Sequence, residues 1–406
     1  MLKKKLDVKL NFIDFLLILI AMYTVAPIVS RFISSYLTTY FYMLVVALFV
    51  ALLLLINGLK SLNECLIMIF PFVCWKLLYF FVDSNGLINW GYASMLDIAP
   101  LLIGYYFTKH CDENKNALFS IFIFVLVAMT LVTTIVGCIQ YPGAARYLAT
   151  VSDAQAEKAV LYDWKNIGGY TFVYFVVLLH PLLILAFKKG KLKLWWALLG
   201  SFAVFALAIY SEYTTALLLT LVTSLLYFFK KNFTAKQLLI FAVVAMTSIL
   251  LFSEWFADFL RWLADVVGSD SISIRLEALA GGRTGIENSE DNRIELYEAS
   301  LKTFFQNPLF GSFLNEGSKG IGGHSFILDF MAQFGIVGAL VLFFMYKVMY
   351  QRFFTQYHGI EGYGYVLWIF IQALILSTIN TGAWIVILAF FAPIFLNVIC
   401  GRGAKE

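Results

Sequence analysis

The chain has 406 residues, 61% of them apolar and only 13% charged, with mean hydropathy +0.84 and a formal net charge of +4. A water-soluble protein of this length has nowhere to hide so much apolar surface, so the bilayer is its solvent. The small positive balance excludes a nucleic-acid face, because no loop interleaves base-stacking aromatics with a basic run.

A spanning helix needs roughly 20 apolar residues. The pattern predicts about twelve, near 12–30, 37–57, 64–82, 92–108, 117–138, 168–187, 194–210, 213–229, 237–257, 326–346, 363–380 and 383–400. The opening "MLKKKLDVKL" has the basic end of a signal peptide, but a long apolar run follows with no small-residue cleavage site, which predicts an uncleaved signal anchor. Lys76 and Asp97 fall at similar depth in the third and fourth spans, where antiparallel neighbours pair; a structural ion pair is expected. The spans on either side of Ser211 meet at the tight turn "YSEYTT", which holds Glu212 either toward a cavity or in the open.

Two connections are long, 139–167 and 258–325, and loops of that length are uncommon unless they function. Only the second shows helical patterning. "SISIRLEALAGG" predicts a short helix ended by glycine. "DNRIELYEASLKTFF" predicts a longer amphipathic one, capped by Asp291, with Ile294, Tyr297, Leu301 and Phe304 on one face and Glu298 paired to Lys302. Pro308 and Gly311 of "NPLFG" stop it. By itself such a helix reads as a lid on the membrane surface.

Basic residues set the orientation. With both termini in the cytoplasm, most of the 29 Lys and Arg fall in cytoplasmic segments, and the short outer turns carry only Arg31. Both long loops then lie outside. The chain is therefore expected to be one all-α polytopic membrane domain, 1–406, with loops 139–167 and 258–325 forming a helical extracytoplasmic substrate cap.

Little points to metal, redox or nucleotide chemistry. Cys65, Cys74, Cys111, Cys138 and Cys400 all lie outside the long outer loops and imply no disulfide framework. His110, His180, His324 and His358 are far apart and show no ligand spacing, so neither metal nor cofactor is expected. "AGGRTG" lacks the strand, lysine and spacing of a phosphate-binding loop.

The outer loops offer Arg146, Arg275, Arg283 and Arg293. Arginine presents a flat fork of donors matched to phosphate oxygens, so these four are candidates to hold a lipid diphosphate, Arg293 and Arg146 foremost. His324 sits in "IGGHSFILDFMAQFGIVG", behind two glycines and at the mouth of a helix. A neutral imidazole suits proton acceptance at physiological pH, and glycines allow close backbone approach. The plainer reading is an interfacial histidine capping that helix. Asp329 reaches the ring only if the helix bends.

The run "RIELYEASLKTFFQNPLFGSF" followed by "GGHSFILDFMAQFGIVG" resembles the O-antigen polymerase and ligase superfamily, and most closely its Wzy-type capsular and exopolysaccharide polymerases. Their pattern is an Arg-led helix ending in Asn-Pro-x-x-Gly, then His-Asn/Ser-x-x-Leu opening a helix with Gly-x-x-Gly. Here these positions are Arg293, Asn307, Pro308, Gly311, His324, Ser325, Leu328, Gly335 and Gly338. "YPGAAR" at 141–146 is similar to the family's first outer loop. Tyr297 stands where Trp is frequent, and Ser325 where Asn is common. "SEYTTA" lacks the arginine that ligases often carry there, and the Arg-x10-Gly spacing of some polymerases is not met.

What the resemblance implies is a GT-C-like glycosyltransferase of a bacterial inner membrane. It would join undecaprenyl-diphosphate-linked repeat units on the outer leaflet by inverting, metal-independent transfer. His324 and Arg293 would be catalytic, with Arg146, Arg275, Arg283, Tyr297 and Ser325 binding substrate. A chain-length regulator and a flippase would be neighbours. Two alternatives stay open: a ligase moving finished glycan to another acceptor, and, in a different class, a lipid-linked oligosaccharide flippase.

Overall fold

A computed structural model describes residues 10–37, 40–53, 100–109, 111–148, 156–251, 253–268, 270–281, 293–312, 320–380 and 384–401, with isolated residues at 55, 70–71, 73–74 and 78. Lys76, Asp97, Arg283 and Asp291 lie outside the described residues, as does the side chain of Arg293. Regular structure among the described residues is helical throughout.

Helix α1 (Phe12–Val25) opens with a capping box in which Asn11 and Asp14 satisfy each other's backbone amides. It ends before Pro27, whose ring cannot continue it, and α2 (Pro27–Phe32), extended by a π-helical turn at Ile33–Leu37, leaves at a bend of 102°. α3 (Tyr40–Leu53) and α4 (100–109) follow, then the long α5 (Glu113–Gln140). The first long connection is partly helical after all, with α6 (Ala144–Tyr147) and α7 (Ala156–Trp164). Next come α8 (Tyr170–Lys188), α9 (Leu194–Tyr210), α10 (Thr214–Ser224) with a 3-10 turn at Leu225–Phe228, and α11 (Ala235–Leu251).

The second long connection starts earlier than its apolar pattern predicts. Residues 253–257 belong to a separate amphipathic helix, α12 (Ser253–Val267), and not to the preceding span. α13 (Asp270–Ala280) packs on it through Ile272 and Leu276 against Leu260, Leu263 and Ala264, all buried. α14 (Arg293–Gln306), α15 (Phe326–Met349), α16 (Tyr363–Ile379) and α17 (Trp384–Cys400) complete the chain.

Among the described residues three helices are long and apolar enough to cross a membrane: α5, α8 and the one running from Phe326 to Tyr357. The bent α1–α2 pair would make a fourth, and several shorter apolar helices accompany them. The packing is that of a membrane protein. Phe124, Met129, Trp195, Phe202, Leu340 and Phe343 are exposed, whereas Thr134, His180, Thr220, Thr223 and Gln372 are buried between helices. Lipid tolerates the first set, and each member of the second finds a hydrogen-bond partner inside the bundle. Thr223 Oγ1 accepts from Trp368 Nε1 at 3.0 Å and Gln372 Nε2 at 2.6 Å, tying α10 to α16. His180 Nε2 lies 2.8 Å from Ser201 Oγ, which in turn lies 2.9 Å from the Tyr227 hydroxyl, so α8, α9 and the 3-10 turn are joined.

One buried ion pair is present that the apolar pattern does not mark. Asp14 is fully buried, accepting from Lys115 Nζ at 2.7 Å, Tyr106 Oη at 2.9 Å and the Asn11 amide at 2.8 Å. It draws the starts of α1 and α5 and the end of α4 together. Asn116 Nδ2 to the Ile394 carbonyl and Asn397 Nδ2 to the Phe107 carbonyl bring α17 to the same end.

Candidate functional site

The His324 turn is built on α14. The expected apolar face of that helix packs only in part: Tyr297 and Phe304 are half-buried, Leu301 is exposed, the side chain of Ile294 lies outside the described residues, and the buried positions are Ser300 and Thr303. The partner surface explains this. It is a stretch of bare backbone, 320–325, whose polar groups need hydroxyls and not methyls. Thr303 Oγ1 donates to the Gly320 carbonyl at 2.8 Å, and the Gly322 amide donates to Ser300 Oγ at 2.9 Å. Gly322 has to be glycine, because a Cβ there would lie 2.1 Å from the Leu296 carbonyl oxygen. The expected Glu298–Lys302 pair does not form; both side chains are solvated, where an ion pair gains little.

Asp329 does not orient the imidazole. Its Oδ1 accepts from Ser300 Oγ at 2.6 Å and its Oδ2 from the Ser325 amide at 2.9 Å, so it fastens the mouth of α15 to α14. Ser325 is fully buried and caps α15, its Oγ accepting from the Leu328 amide at 3.1 Å; its side chain is structural. The Phe326 amide donates to the Asn380 carbonyl at 2.8 Å, and Tyr297 Oη donates to the Ile379 carbonyl at 3.0 Å, tying the end of α16 into the same knot. His324 is exposed on this anchored turn. The turn abuts α14 at Leu296, one helical turn from Arg293, so the backbones carrying His324 and Arg293 adjoin.

A second interlock fixes the other half of the motif. Gly335 adopts φ 60° and ψ −147° inside α15, breaking its hydrogen-bond ladder. The freed Ile336 amide donates to the Pro308 carbonyl at 2.7 Å, so the Asn307–Gly311 turn plugs the kink. A Cβ on Gly335 would lie 2.5 Å from the Leu309 carbonyl carbon and oxygen, and one on Gly311 2.2 Å from the Gln333 carbonyl oxygen.

Arg146 sits in α6, where its Nη1 donates to the Glu212 carbonyl at 3.3 Å. Tyr213 Oη donates to the Ala145 carbonyl at 3.1 Å, so "YPGAAR" docks on the α9–α10 turn. Glu212 is half-buried there, in the left-handed conformation. Arg275 is half-buried in α13.

A hollow of about 650 Å³ lies elsewhere, between the α1–α2 elbow, α7, the start of α8 and α17. Its polar lining includes Arg31, Asp163, Ser30 and Tyr170, and its apolar lining includes Val25, Phe172, Phe175, Ile387 and Phe391. Among the described residues, only the first of the two long connections contributes to it, and none of the described site residues expected from sequence is in its lining. Burial pushes the Asp163 carboxyl above the usual range, with the Arg31 guanidinium partly offsetting this. The one signal for Arg31 in the sequence is that it breaks the charge bias, as the single cation on a short outer turn. Asp163 had none.

No protein-family model and no curated protein sequence matches the chain.

Proposed function

We propose that the chain is a membrane polysaccharide polymerase that joins undecaprenyl-diphosphate-linked repeat units on the outer leaflet, with twelve spans and both termini in the cytoplasm. One observation supports this above the others. The two halves of the motif shared with the O-antigen polymerases are built as a single unit, Gly311 against Gly335 and Gly322 against Leu296, with His324 displayed at its edge.

The chemistry follows from the groups. A diphosphate is a competent leaving group once its charge is held by cationic donors. His324 takes the proton from an acceptor sugar hydroxyl. That oxygen attacks the anomeric carbon from the face opposite the diphosphate, so the configuration inverts. The anomeric C–O bond breaks, its electron pair leaves on the diphosphate, and Arg293 and Arg146 hold that charge. Two substrates fixed on a rigid turn supply the remaining advantage, which is proximity.

Purified protein in vesicles, given defined lipid-linked repeats alone, tests the reading. A polymerase returns a ladder of glycans. A ligase returns none without its second acceptor, and a flippase moves the repeat across the membrane without extending it. Unextended repeats would refute the proposal.

A further inference from the structure

The hollow beside the α1–α2 elbow holds two opposite charges that do not neutralise each other. Arg31 Nε is buried with no hydrogen-bond partner. Asp163 feels the charge of Arg31 yet forms no ion pair with it. A guanidinium N–H withdrawn from water and left unbonded costs free energy that a ligand oxygen recovers. A partly buried carboxylate facing the same space calls for a donor.

The walls are fixed in advance of any ligand. Asn166, in the left-handed conformation, accepts from the Ile28 amide at 3.3 Å through Oδ1 and donates to Thr130 and Thr133 of α5 at 3.2 and 3.1 Å through Nδ2. The Gly168 amide donates to Thr134 Oγ1 at 2.8 Å. The elbow carrying Arg31 and the turn following Asp163 are thus pinned to one helix. Phe172, Phe175 and Phe391 line the same hollow and supply its apolar floor. Ser30, Ser34 and Tyr170 add hydroxyls to the lining. The volume falls within the range of small-ligand sites, about 300–1,000 Å³.

We infer that this hollow binds an amphiphile whose head joins a phosphate to a hydrogen-bond donor, Arg31 taking the phosphate, Asp163 the donor and the phenylalanine floor the chain. This does not rest on the polymerase reading, which places diphosphate binding at Arg293 and Arg146. The same groups face the same space whatever the chain does with what it binds. Two sources carry this head chemistry, a lipid-linked sugar phosphate and a phosphoethanolamine lipid.

Native mass spectrometry of the full-length protein in detergent tests the inference with four probes: dodecyl phosphate-linked glucose, dodecyl phosphoethanolamine, dodecyl methyl phosphate and dodecyl glucoside. The expected result is that at least one of the first two binds at least about tenfold more tightly than either of the last two, the scale of one charge-assisted hydrogen bond. Preference for the sugar phosphate identifies a lipid-linked glycan as the occupant. Preference for phosphoethanolamine identifies a membrane phospholipid, and equal binding identifies the head chemistry alone. Arg31→Ala and Asp163→Asn each abolish that tenfold advantage. Arg31→Lys, which keeps the charge and is the milder change, weakens it part-way, and the distant surface variant Lys231→Ala leaves it intact. Equal binding of all four probes, or an advantage that survives both Arg31→Lys and Asp163→Asn in protein that elutes and melts like the wild type, overturns the inference.

Discussion

Gly335→Ala asks most of the interlock between the Asn-Pro turn and α15. The backbone there, φ 60° and ψ −147°, is a conformation open essentially to glycine, and a side chain in it costs about 1–3 kcal/mol. The added methyl also lands on backbone, 2.5 Å from Leu309 and 2.7 Å from the Gly311 nitrogen, which cannot swing aside as a side-chain tip does. Overpacking of this kind adds about 1–3 kcal/mol. If the turn is driven off, the Ile336-to-Pro308 bond goes too, at about 1 kcal/mol. The total is roughly 3–7 kcal/mol, a large share of the ~5–15 kcal/mol that holds a domain folded. Gly359→Ala is the control. Its φ of +86° is equally unsuited to alanine, but nothing lies within 4 Å, so only the backbone cost applies. Thermal unfolding of both variants in detergent, followed by tryptophan fluorescence, separates the terms. Gly335→Ala is expected to melt well below Gly359→Ala, which melts only slightly below the wild type. Equal melting of the two variants would refute the interlock.

Other outcomes follow from particular contacts. Asp14→Asn leaves Lys115 facing a buried site without its charge partner and lowers stability by about 3–5 kcal/mol, whereas Asp14→Leu with Lys115→Met recovers much of the loss in the same melt. Ser300→Ala removes both the Gly322 and Asp329 contacts, and is expected to cut polymer yield more than it lowers the melting temperature, because the loosened turn is the one carrying His324. The Asp163 carboxyl is raised by burial, so the folded state binds its proton more tightly than the unfolded state does. Its contribution is most favourable at low pH and is lost as pH rises through the raised folded value. Asp163→Asn therefore melts at or above the wild type near pH 7 and shows a smaller fall in melting temperature from pH 4 to pH 7. A lower melting temperature at pH 7 would mean that the carboxylate is a structural group.

Helix positions along the described residues were largely legible, because apolar runs and Pro308 act within a few residues of where they stand; the cap on α15 was not, since it is Ser325 and not His324 that closes the helix start. Pairings were not. Asp14 and Lys115 look like ordinary charges at helix starts, and only the fold shows them touching at 2.7 Å across 101 positions. The buried hydroxyls of α14, Ser300 and Thr303, were not foreseen because their partner is backbone, and no apolar period announces that. Gly335 reads in sequence only as one end of the Gly-x-x-Gly in the shared motif; its kink is plugged by Pro308 arriving from another segment. Arg31 showed itself only as an exception to a charge rule, which marks a residue as unusual without saying what it faces.

The proposal stands most directly on His324. The imidazole is exposed and takes no part in the hydrogen bonds that anchor its turn, so His324→Ala should elute and melt like the wild type. In vesicles supplied with lipid-linked repeats, the account predicts a full glycan ladder from the wild type and from Lys231→Ala, and unextended repeats from His324→Ala and Arg293→Ala. A full-length ladder from His324→Ala would contradict it.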